Sequence, residues 1–130
     1  MLILAPSVRV FVARSAVDFR RGIDGLCGIV REGFGADPLS GHWFVFTNKR
    51  ANRLRILVWD RNGFWLATKR LERGTFERFG GSEATLEIDR AKLAMLLDGI
   101  DVKKARSRYN FVRSVRIEAR DDDARERTAP

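Results

Sequence analysis

Residues 43–71 read WFVFTNKRANRLRILVWDRNGFWLATKRL, three apolar runs parted by two short polar breaks. Trp43 to Thr47 is an apolar run, Leu54 to Trp59 is rich in branched and aromatic residues, and Phe64 to Leu71 resumes after Asp60-Arg61-Asn62-Gly63. Such side chains pack well on a pleated surface, so each run is predicted to be a strand. Asn62-Gly63 suits a hairpin turn with positive φ, and Asn48 to Asn52 is a short polar connection. The three strands are therefore expected to form an antiparallel meander.

Upstream, Val8, Val10 and Val12 alternate with Arg9, Phe11 and Ala13, the period of a strand with one face buried. Asp18 is a candidate N-cap for a helix whose face would carry Phe19, Ile23, Leu26, Val30 and Phe34, ended by Gly33 and Gly35. Asp37-Pro38-Leu39-Ser40-Gly41 is turn chemistry. Downstream, Ala84 to Ile88 alternates as a short strand, Asp89 can cap a helix bearing Leu93, Leu96 and Leu97, and Gly99 would end it. The expected class is α+β: an N-terminal strand and helix, an antiparallel β-meander, a second helix and a basic C-terminal tail. Residues 1–101 are read as a single domain and 102–130 as a basic, flexible tail, since 102–116 hold six basic residues and no acidic one.

The chain has 25 Lys+Arg against 17 Asp+Glu, a formal net charge of +8, which points to polyanionic partners. Its single cysteine, Cys27, excludes an intrachain disulfide and a multi-thiolate metal site. The apolar start Met1 to Ala5 is interrupted by Pro6 and Arg9, too short for a signal peptide or a membrane span. The expectation is a cytoplasmic protein without a membrane partner.

Between Trp43 and Arg73, the basic residues Lys49, Arg50, Arg53, Arg55, Arg61, Lys69, Arg70 and Arg73 face only Asp60 and Glu72. In a meander, Arg53 and Arg55 share a face by the period of two, and the hairpin ends bring Lys49 and Arg50 near Lys69, Arg70 and Arg73. A basic sheet face can follow a phosphate backbone, because each neutralised phosphate releases condensed counterion; the bland alternative is a polar face that keeps the sheet soluble. Lys103, Lys104, Arg106 and Arg108, beside Tyr109, form a second candidate for nucleic acid, as an arm that orders on contact. Gly22, Gly25 and Gly28, at steps of three, mark either a close approach of another backbone or a helix that starts late, after Gly22.

His42 is the only histidine, so no Cys-His pair, Ser-His-Asp triad or His-rich metal site stands out, and no cofactor is expected. Asp18, Asp24 and Asp60 could be offered as the carboxylates of a small nuclease, but Asp18 reads as a cap and Asp60 as a turn residue. The reading is a protein without catalytic residues.

Taken together, the segments Asp18-Phe19-Arg20-Arg21-Gly22-Ile23-Asp24-Gly25-Leu26, Asp37 to Phe46, Asn48-Lys49-Arg50, Trp59 to Leu66, Lys69 to Phe76 and Leu97-Asp98-Gly99-Ile100-Asp101 resemble, in order and spacing, the TnpB family of IS66-type insertion-sequence accessory proteins. The family usually follows its Arg-Gly-x-Phe motif with Trp-Pro, where this chain has Glu77-Arg78-Phe79. The resemblance implies a role in transposition beside a separate transposase that performs the DNA strand chemistry. Two functions stay open: DNA binding through the basic sheet face, at the ends of the insertion sequence, or an adaptor that docks on the transposase without touching DNA.

Overall fold

A computed structural model describes residues 3–100. The elements are β1 (Val10–Ala13), α1 (Ile23–Gly28), β2 (Trp43–Thr47), β3 (Arg53–Asp60), β4 (Gly63–Arg70), β5 (Thr85–Ile88) and α2 (Arg90–Asp98), the α+β succession expected from the sequence. They build a five-stranded sheet in the order β4-β3-β2-β1-β5. The β2-β3-β4 meander is antiparallel, as is β5 on β1, but β1 runs parallel to β2 with Val10 opposite Trp43 and Val12 opposite Val45. A parallel pair needs a long crossover, and residues 14–42, with α1 inside them, supply it.

Both faces of the central strands are buried. Val10, Val12, Trp43, Val45, Leu54, Ile56 and Val58 point to one side, where Leu93 and Leu96 of α2 and Phe76, from the connection between β4 and β5, complete the core. Ala13, Phe44, Phe46 and Leu57 point to the other, against Leu26, Cys27 and Val30. This corrects the expectation that β1 buries one face only: Phe11 stacks on Phe44 at 5.8 Å on the α1 side, because α1 and α2 cover opposite faces. It also explains the apolar run of β2, where alternation would leave polar groups in a core.

Three further details differ from the sequence reading. Asp18 does not cap the helix; its carboxylate accepts from the Arg20 backbone N–H, and its carbonyl from Arg21 N–H, closing a turn that delays the helix until Ile23. Gly22 stands at the N-cap, so the helix starts late; added Cβ atoms on Gly22 and Gly28 would meet nothing within 4 Å, and one on Gly25 would lie 3.1 Å from Arg21 Cβ, so the described residues show no other backbone approaching along the three glycines. The helix continues as a π-helical turn, Ile29–Gly33, where Phe34 N–H donates to the Ile29 carbonyl, and Gly35 then takes φ +64°. Lastly, the β3–β4 turn is Arg61-Asn62, with Arg61 at φ 56°, while Gly63 already pairs with Asp60 as the first residue of β4.

α2 starts where the sequence places it: the Asp89 carboxylate accepts from Lys92 N–H at 2.8 Å. It ends at Gly99, whose φ of 75° favours glycine and where an added Cβ would also press on Leu71 Cδ1 at 2.6 Å. Among the described residues no helix is long and apolar enough to cross a membrane.

Candidate nucleic-acid interface

Strand directions gather the basic residues at one end of the sheet. β2 ends there, β3 begins there and β4 ends there, so Lys49 and Arg50 on the β2–β3 turn lie beside Arg53, Arg70 and the segment that leaves β4. The turn is held by Asn48, whose Oδ1 accepts from the N–H groups of Asn52 and Arg53 at 3.0 Å each, and by Ala51, buried and at φ 57°. A strap then crosses it: Leu71 N–H donates to the Asn52 carbonyl at 2.8 Å and Phe76 N–H to the Ala51 carbonyl at 2.7 Å. Arg73 is carried between these two anchors, and the Arg78 guanidinium donates to the Lys49 carbonyl.

The register sets Arg53 directly opposite Arg70, two exposed cations on the α1 side of the sheet. Like charges in that position oppose folding. Arg70 is partly balanced by Glu72, at 2.9 Å, whereas Lys49, Arg50, Arg53 and Arg73 form no ion pair among the described residues. An anion at this end would relieve the repulsion.

Not every predicted residue joins this group. Arg55 lies on the same face as Arg53 but is turned inward: its Nη1 donates to the carbonyls of Phe19 at 2.9 Å and Arg21 at 3.1 Å, and its guanidinium sits 4.4 Å from the Phe19 ring centre. It ties the Asp18–Arg21 turn to the sheet. Lys69 projects to the α2 side, where Nζ donates to the Leu97 carbonyl at 2.7 Å. Lys103, Lys104, Arg106 and Arg108 lie outside the described residues. The sequence reading missed Arg78, whose bond to the turn depends on the path of the strap, and the Arg53–Arg70 pairing, which counting outward from the true hairpin turn would have found.

Around the group, Arg20 lies at 2.8 Å from Asp18 and, by side-chain and then backbone hydrogen bonds, lowers the Asp18 carboxyl to about 2. Asp60 lies at the far end of β3, where it accepts from Trp65 Nε1 at 3.1 Å, so Asp18 and Asp60 stand at opposite ends of the sheet and cannot share a metal. His42 is structural: its Nδ1 accepts from Arg9 N–H at 3.0 Å, and its ring meets Phe11 edge-on. Burial raises the Cys27 thiol, which makes it a poor nucleophile.

The IS66 Orf2 like protein family matches residues 8–107. The uncharacterized protein y4jC of Sinorhizobium fredii is 40% identical over 94 residues, covering 72% of this chain and 80% of its own. The uncharacterized protein y4hO of the same bacterium is 37% identical over 101 residues, covering 78% and 88%. No solved structure matches. From Val8 onward, through the sheet, both helices and the basic end, the chain belongs to the IS66 Orf2-like family, which makes it an accessory protein of an insertion sequence.

Proposed function

We propose that this protein is a non-catalytic accessory factor of transposition that holds DNA on the basic end of its sheet, beside the transposase of the same element. The observation that carries the reading is the Arg53–Arg70 pair with Lys49, Arg50 and Arg73 around it: five cations from two stretches of chain, 49–53 and 70–73, of which only Arg70 is ion-paired among the described residues, to Glu72. Folding gains nothing from that arrangement, and a phosphate backbone does. The contacts would be to phosphates and would therefore position DNA without reading its sequence. Sequence preference for the ends of the element would then come from the transposase.

The test is binding of labelled duplex DNA by the purified full chain across a salt series. About five phosphate contacts give a log–log slope near −4.5. A folded sample that retains no DNA at low salt, but binds transposase, would instead make the protein a docking adaptor.

A further inference from the structure

The two edges of the sheet are built differently. β5 is four residues long and carries Glu87, tied to Arg9 at 2.7 Å, which are devices that discourage further strand pairing. β4 is eight residues long, contains no proline, and keeps an unbroken register with β3 from Asp60–Gly63 to Arg53–Arg70. Among the described residues nothing pairs with its outer side. Trp65, 45% exposed, stands on this strand.

The hairpin fixes which backbone groups face outward. A two-residue turn makes its closing pair, Asp60–Gly63, a hydrogen-bonded one, and the pairs then alternate along the ladder. Phe64, Leu66, Thr68 and Arg70 therefore turn their N–H and C=O groups away from β3, and an added strand must meet those four residues.

We propose that β4 pairs antiparallel with β4 of a second copy about a twofold axis through Ala67. In that register Phe64 lies opposite the second copy's Arg70, Trp65 opposite its Lys69, Leu66 opposite its Thr68, and Ala67 opposite itself. Across this seam every cation of the strand faces an aromatic ring and none faces a cation. The Lys69 stem already lies along that face, held by its bond to the Leu97 carbonyl. A shift of two residues in either direction loses both aromatic–cation pairs, so the strand's own sequence selects this register. The pairing adds about eight backbone hydrogen bonds and joins two sheets into one. The twofold sends the two basic ends in opposite directions along the strands.

The test is the mass of the full chain in solution, without DNA, by sedimentation from low to high micromolar concentration. A concentration-dependent dimer is expected. Thr68→Pro removes one outward N–H and no bond to β3, so it should sediment as a monomer with unchanged circular dichroism. A wild-type monomer throughout the series, or a Thr68→Pro variant that dimerises equally well, would overturn the proposal. If Thr68→Pro does not fold, Ala67→Cys decides: Cys27 is buried, so mild oxidation should link two copies at position 67 at least about tenfold faster than in Ala84→Cys, beside the other edge. Equal rates would equally overturn it.

Discussion

The two ends of the sheet carry different charge arrangements on the same strands. At the far end Arg9, Arg61 and Arg90 are matched in number by Asp60, Glu87 and Asp89; Arg9 and Glu87 form a bidentate pair, and Asp89 caps α2. At the basic end Lys49, Arg50, Arg53 and Arg73 form no ion pair among the described residues, and Arg70 pairs only with Glu72. At the far end Arg9, Glu87 and Asp89 are engaged by the fold and no like charges are paired across strands, while at the basic end four cations lack an ion-pair partner among the described residues and Arg53 is set directly against Arg70. Net charge alone does not separate these cases; the register does.

Within the basic end, Arg53 and Arg55 offer the sharpest contrast, two residues apart on one face. Arg55→Ala leaves the carbonyls of Phe19 and Arg21 without their charged donor and removes the contact with the Phe19 ring. It should cost about 2–3 kcal/mol in chemical denaturation, whereas Arg53→Ala should stay within about 0.5 kcal/mol. Equal losses would mean that Arg53 also serves the fold. At the far end, Asp89→Ala should cost about 1 kcal/mol through the lost cap and leave DNA binding alone.

Arg53→Glu should move stability and binding in opposite directions. Facing Arg70, the new carboxylate should stabilise the protein by about 0.2–1 kcal/mol while DNA affinity falls. A variant that loses stability would contradict the repulsion inferred at this pair.

The smallest effect expected is at acid pH. Asp18 is held near 2 by Arg20, below the ordinary carboxylate range, so its contribution is complete above about pH 4 and is lost as pH falls through about 2. In Arg20→Gln the Asp18 titration, followed by NMR, should rise toward the ordinary value. An unmoved titration would assign the shift to the backbone N–H of residue 20 and the charge of Arg21 instead.

Much of this arrangement was legible in the sequence. Three meander strands and α2 with its Asp89 cap follow from apolar runs, turn residues and one capping side chain, all local signals. The parallel insertion of β1 beside β2 was not legible, because partner choice over the 14–42 crossover leaves no local trace. The hairpin turn was read one residue late, since Asn62-Gly63 is the stronger positive-φ signal, yet Arg61 takes that conformation. That single step shifts the pairing by two and would set Arg53 against Glu72, a favourable pair, hiding the repulsion that marks the site. Arg55 illustrates another limit: periodicity gives its face, but only the path of the Asp18–Arg21 turn shows that the face is covered there.

The most direct test of the basic end compares salt dependence in two variants. Replacing Lys49, Arg50, Arg53 and Arg73 with Gln removes four cations that form no ion pair among the described residues, so the fold should be kept. Replacing Arg61 and Arg90 with Gln removes exposed charge from the far end. The account expects the first variant to bind duplex DNA more weakly, with a log–log slope flattened by up to about 3.6, and the second to keep a slope close to wild type. An unchanged slope in the folded first variant, or equal flattening per charge in both, would contradict it.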